Sequence, residues 1–367
     1  MSDVKIRFAP SQASGFIKDV KAEANEYFKV TGLSRHADVG MVFKTIFILA
    51  LCFGSYGLII SGQFSLLQMW GLTFLMGVGA AGTGFCVAHD ALHGAYSSNS
   101  TVNKLLGYTF DMLGANSYMW KITHNVIHHT YTNIPGVDED LSVSPYIRMS
   151  PDAPRHPLNR YQHLFALPAY GLATINWLFA KDFQQFLKRD IGPYKNKKHS
   201  AFEIFTLVWT KMAVVGYMIV LPLMLLDITW WQFAIGFLTM HMTAGIILGV
   251  IFQLAHVVEG PEFLGPDDSG NMEHTWLIHE MLTTANFASK NKLLTWYVGG
   301  LNYQIEHHLF PQTCSIHYPE LSKIVRNVAA RYEVPYNYHP TLIISIKSHY
   351  RMLKELGKPP EVGVMAA

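Results

Sequence analysis

Four stretches of the chain are almost wholly apolar, running from about residue 42 to 60, 66 to 89, 202 to 226 and 231 to 256. A helix needs about 20 such residues to cross the hydrocarbon core of a bilayer. The first two are joined only by Ser61-Gly62-Gln63-Phe64-Ser65, and the last two by Asp227-Ile228-Thr229-Trp230. Links this short predict two transmembrane hairpins. Residues 99–134 and 159–187 instead mix apolar and polar positions at helical spacing, which predicts helices lying on the membrane surface. Pro145, Pro151, Pro154 and Pro157 break the chain between them. After a turn-rich stretch at 261–271, residues 272–357 read as a helical cap. Residues 1–40 read as a polar leader near the membrane surface, without the long apolar core of a signal peptide. A single membrane domain is expected over 41–360, with extramembrane segments 90–201 and 257–360.

Charge orients these elements. Neither short link carries Lys or Arg, whereas residues 93–201 carry eleven, the region after His256 nine and residues 1–44 seven. The positive-inside rule then places both termini and the middle segment in the cytoplasm. The remaining basic residue, Lys211, lies in the third span and is expected to snorkel to the headgroups. A net charge of +2 leaves no basic field for nucleic acid. Three cysteines, two of them in apolar runs, argue against a disulfide framework.

Eighteen histidines stand out in a chain only 15% charged. The second span ends in His89-Asp90-Ala91-Leu92-His93, whose two histidines share a helix face. The middle segment carries His124-Asn125-Val126-Ile127-His128-His129; there His124 and His128 share a face and His129 is expected some 100° round it. The cap carries Gln304-Ile305-Glu306-His307-His308, and His256 ends the fourth span. One such pair arises by chance on surface helices, but several at one membrane face point to metal. Eight histidines, with Gln304 as a ninth donor, exceed one tetrahedral zinc and suit two ions of higher coordination. Imidazole alone does not name the metal. The expected fold class is therefore all-α and integral to the membrane, with four spans as two hairpins, interfacial helices and a cytoplasmic cap holding a di-metal site. Scattered histidines, including His163, His199, His241, His279 and His349, are read as packed or solvated side chains.

The three histidine motifs, in this order and spacing, resemble the boxes of the integral-membrane fatty acid desaturases. Thr132-Asn133, Asp138-Glu139-Asp140 and Gly299-Gly300-Leu301-Asn302-Tyr303 match the surrounding words. The likeness implies two iron ions on His89, His93, His124, His128, His129, His256, His307 and His308, with Gln304 a variant ligand. That variant resembles the front-end branch, which adds double bonds between an existing one and the carboxyl end. Dioxygen would be the co-substrate and a long-chain acyl group the substrate, carried on coenzyme A, a carrier protein or a lipid. No His-Pro-Gly-Gly haem motif is present, so electrons are expected from a separate ferredoxin or cytochrome b5. That absence also points to a bacterial inner membrane. The basic stretch Lys188 to Lys198 reads as an anchor on anionic lipid.

An unactivated methylene resists acid–base attack, so the reaction demands a strong oxidant. Metal-bound imidazoles need oriented N–H groups, and Asp90, Asp138, Glu139, Asp140 and Glu306 are the candidates to hold them. An apolar tunnel is expected between the spans, with Trp120 and Gly79 as candidate walls. A membrane hydroxylase or ketolase of alkyl or carotenoid substrates would share the metal site. A metal transporter would instead place its ligands near the bilayer midplane.

Overall fold

The computed structural model describes residues 5–10, 15–141, 144–193, 195 and 197–359. The described chain is mostly helical. Four helices are long and apolar enough to cross a membrane: Val39–Ile60, Leu66–Leu92, Ala201–Leu225 and Trp230–His256. Their bounds fall within three residues of those expected. Ser65 caps the second span reciprocally with Gln68, and Thr229 caps the fourth with Gln232.

The second span is the central one. It packs along the fourth and against the first. Small residues permit this approach: a methyl group on Gly77 would lie 2.6 Å from the Met240 carbonyl, and one on Gly79 would lie 2.5 Å from the Cys52 nitrogen. Gly79 thus stands in close helix packing, the reading preferred for the small residues of this span.

The cap is built on the same logic. Phe16, Ile17, Val20, Ala24 and Phe28 of the helix Gly15–Thr31 are buried, and this helix packs on Tyr318–Arg331. The described part of the leader thus buries its apolar stripe against protein. A two-residue parallel pairing, Asn286↔Tyr338 and Phe287↔His339, ties the segment ahead of the third histidine motif to the C-terminal region.

Lys211 also differs from expectation. It is buried, and its Nζ donates to Asp182 Oδ2 at 2.6 Å, to the Gly114 carbonyl at 2.6 Å and to the Trp177 carbonyl at 2.7 Å. Asp182 Oδ2 also accepts from the Asn116 backbone N–H at 2.7 Å. Burial pushes the Asp182 carboxyl up and Lys211 pulls it back. Snorkelling loses because three acceptors lie within reach inside the protein. Lys211→Met strands the Asp182 charge and is expected to cost about 3–5 kcal/mol. Most of this should return in Lys211→Met/Asp182→Asn, as read from thermal unfolding in detergent.

Two of the scattered histidines are held by bonds within the protein. His349 is bonded to the Val257 carbonyl and to Tyr170 Oη, and His279 to the Thr132 carbonyl. Burial pulls both down to about 4. Both bind protons more readily when unfolded, near pH 6.5, so their contribution is complete above that pH and shrinks as pH falls toward 4. Each is expected to take on the order of 3 kcal/mol of stability with it by pH 4. Unfolding midpoints of His349→Phe should then depend less on pH between 6.5 and 4 than those of the unmodified chain.

Candidate metal centre

The second and fourth spans bring His89, His93 and His256 to one end of the four-helix core. Two departures from α-helical geometry lie immediately before the first motif and within the second. Residues Gly84–Ala88 and Lys121–His128 form π-helical turns, which recur at functional sites. The His129 N–H bonds to the His124 carbonyl at 3.1 Å, an i→i+5 contact. The wider turn swings His129 inward beside His128, where a regular helix would carry it some 100° away.

The result is one buried cluster with two centres. Ring nitrogens of His89, His93, His124 and His307 lie within 4.8 Å of one another, as do those of His128, His256 and His308. His129 joins the two, grouping with His307 and His308, and its ring stacks on that of His308 at 4.3 Å. Gln304 is buried and shares a cavity wall with His89 and His307.

Five of the outer nitrogens are anchored, whereas Nδ1 of His89 and of His129 is buried without a hydrogen-bond partner. His128 Nδ1 meets Asp138 Oδ2 at 2.9 Å, His124 Nδ1 meets Asp140 Oδ2 at 3.1 Å, and His308 Nδ1 meets Glu280 Oε2 at 2.8 Å. His307 Nδ1 faces Tyr318 Oη at 3.2 Å, and His256 Nδ1 faces the Thr283 carbonyl at 3.4 Å. His89 Nδ1 stands 3.7 Å from Asp90, whose other oxygen accepts from the Ser315 N–H and hydroxyl. Asn133, held at a positive φ of 56°, donates its N–H to Asp138 and its amide to the His256 carbonyl.

Two expected carboxylates point elsewhere. Glu139 pairs with Lys188 on the surface at 2.9 Å. Glu306 is buried but binds the Asn286 amide and Tyr336 Oη, bracing its helix against the cap. Glu280 was not singled out from the sequence. It stands 24 residues before Gln304 and beside a structural histidine, so spacing gives no hint of it.

The inner nitrogens test whether these residues fit a metal. Nε2 of His93, His124, His128, His129, His256, His307 and His308 are all buried without a hydrogen-bond partner. Such groups are costly to leave unsatisfied. Burial first, and the neighbouring histidines second, hold His93, His124, His129, His307 and His308 well below the ordinary range, hence neutral. Burial also lowers His128, but Asp138 more than offsets it. Neutral imidazoles with lone pairs converging and N–H groups anchored outward are the donor set a metal ion requires.

A cavity of about 160 Å³ reaches the cluster. His89, His124, His307 and Gln304 form its inner wall, and Trp120, stacked on His124 at 4.3 Å, also lines it. Gly84, Phe110, Trp177 and Leu248 are shared with a narrow void of about 20 Å³ between the spans. Met218 and Met240 connect that void to an apolar cavity of about 400 Å³.

Four apolar helices beneath this cluster define a membrane protein equipped to hold metal. The model of the family "Fatty acid desaturase" matches residues 65–340. The sn-1 linoleoyl-lipid 6-desaturase of Synechocystis sp. is 35% identical over 359 residues, covering 96% of this chain and 98% of that protein. Its counterpart in Arthrospira platensis is also 35% identical, over 97% of this chain and 96% of its own. The acyl-lipid (8-3)-desaturase of Physcomitrium patens is 31% identical over 96% of this chain and 74% of its own. The chain belongs to the fatty acid desaturase family and is an oxidoreductase that introduces double bonds into fatty acyl groups.

Proposed function

We propose that the chain is a di-iron, front-end desaturase acting on lipid-linked acyl chains. The carrying observation is the pair of histidine groups with unpartnered inner nitrogens. One ion would sit among His89, His93, His124 and His307, with Gln304 nearby, and the second among His128, His129, His256 and His308. Bound iron would supply the redox chemistry by which dioxygen takes two hydrogens from adjacent carbons, with two electrons from a separate donor protein.

The chain's own residues prepare that chemistry. Asp138, Asp140 and Glu280 fix the orientation of His128, His124 and His308, and Tyr318 that of His307. Burial of the cluster excludes bulk water. The cavity offers the acyl chain a route past Trp120, with its methyl end directed between the spans. The glutamine at position 304 and the names of the cyanobacterial relatives support the front-end reading and a lipid carrier. We further assign residues 41–360 to a single membrane unit of two hairpins, both termini in the cytoplasm, in a bacterial inner membrane. The distribution of Lys and Arg supports this orientation. Residue 360 itself lies outside the described residues, as does Asn196 of the basic stretch.

The test is mass spectrometry of total fatty acids from a host expressing the chain together with a ferredoxin or cytochrome b5 and fed 16- and 18-carbon acids. A new double bond on the carboxyl side of an existing one is the expected product. A bond on the methyl side would overturn the front-end reading, and purified protein without iron would overturn the metal assignment.

A further inference from the structure

The cavity beside the cluster has a polar rim of which the chemistry above uses only Asp140. Its inner wall is buried, whereas Asn176, Trp177, Lys181 and Asp140 keep solvent exposure and form its mouth. Lys181 stands out among them. Its Nζ lies 3.8 Å from Asp140 Oδ1 and 5.5 Å from the Trp177 ring centre, with the side chain 27% exposed. Among the described residues the ammonium has no closer polar partner, so its three donors are largely free. Asp140 meanwhile gives its other oxygen to His124. The cation therefore stands two polar contacts from a histidine of the cluster.

The mouth is held firmly by contacts of the third span. Lys211 binds the Trp177 carbonyl and the Asp182 side chain on either side of Lys181. Leu172, Phe179 and Leu187 of the same helical region are exposed apolar residues, as on a helix that rests in the headgroup boundary. An acyl chain entering here has one oxygen-rich end, and an apolar cavity orients its ligand through few placed polar groups.

We propose that Lys181 is a specificity-determining residue that holds an oxygen of the substrate's carboxyl end, either the ester carbonyl or a headgroup phosphate. This rests on the lipid-linked reading above. Because Lys181 is fixed relative to His124, it sets how many carbons separate the carboxyl group from the metal centre. Counting from the carboxyl end then becomes a matter of distance between two anchored side chains.

The experiment compares the unmodified enzyme with Lys181→Met, Lys181→Arg and Asn176→Leu, all loaded with iron. Substrates are vesicles of linoleoyl-phosphatidylglycerol or of linoleoyl-monogalactosyldiacylglycerol, with a reduced donor protein supplied. Lys181→Met should raise KM about tenfold, the loss of one charge-assisted hydrogen bond. It should also yield products with the double bond displaced along the chain, and Lys181→Arg should restore both. A larger effect on phosphatidylglycerol assigns the contact to the phosphate; an equal effect on both lipids assigns it to the ester carbonyl. Asn176→Leu should raise KM less and leave the bond position intact. A uniform fall in kcat at unchanged KM and bond position, with or without loss of iron, would reduce Lys181 to a brace for Asp140 and overturn the proposal. If the unmodified enzyme uses neither lipid but desaturates acyl-coenzyme A, the lipid-linked reading fails and takes this one with it.

Discussion

His128→Ala is expected to abolish double-bond formation and to lower bound iron to about half of the unmodified value or less, one ion of two. His128 offers an unpartnered Nε2 to the cluster while Asp138 holds its Nδ1. Removing the ring takes a donor from the group with His256 and His308 and leaves the buried Asp138 without its imidazole partner. Asp138 keeps the N–H groups of Asn133 and Asp140, so the protein should still fold, with a modest fall in thermal stability. His163→Ala is the control. His163 packs against Tyr350 away from the cluster, and both activity and iron should survive its loss. Iron measured by mass spectrometry on purified protein, beside fatty acid analysis of the expressing cells, checks both. Full activity in His128→Ala would remove this residue from the metal centre.

The chain makes some of this arrangement legible and conceals the rest for identifiable reasons. The four spans are readable because a bilayer imposes a length and a composition that little else in a sequence mimics. The histidines at 89, 93, 124, 128, 307 and 308 are readable because each motif is local, with both members on one or two helical turns. His129 is harder. Its inward position depends on a π turn, and nothing in regular helical spacing announces an i→i+5 contact. The carboxylates divide in the same way. Asp138 and Asp140 follow the second motif closely enough to be suspected, but alternate residues of that acidic word serve different purposes. Glu139, between them, turns out to Lys188. Glu306 lies within the third motif and still turns away from the histidines, because Asn286 and Tyr336 satisfy it from the cap side. Lys211 shows the limit of a rule about isolated helices: snorkelling describes a lysine facing lipid, and this one faces two carbonyls and an aspartate supplied by residues 114–182.

Glu280→Ala is expected to weaken iron binding by roughly 10- to 100-fold and to lower activity accordingly, the usual range for a residue that orients a metal-bound histidine. Glu280 is fully buried. Its Oε2 lies 2.8 Å from His308 Nδ1 and accepts the Thr132 hydroxyl at 2.8 Å. Burial pushes its carboxyl well above the ordinary carboxylate range, so an ionised Glu280 needs compensating positive charge nearby. A cation on the His308 side of the cluster would supply it, and the ionised carboxylate would in turn accept the His308 N–H. Metal and carboxylate therefore stabilise each other, and the mutual effect can be measured. Glu280→Gln keeps the size and a hydrogen-bonding oxygen but loses the charge, so its iron affinity should fall between those of the unmodified chain and Glu280→Ala. In the metal-free protein the order reverses: Glu280→Gln removes a buried group that is costly to ionise, and its thermal stability should equal or exceed that of the unmodified apoprotein. Iron affinity by chelator competition and unfolding midpoints with and without metal test both halves. If Glu280→Gln binds iron as tightly as the unmodified chain, the carboxylate contributes geometry alone, and the charge coupling argued from its burial is wrong.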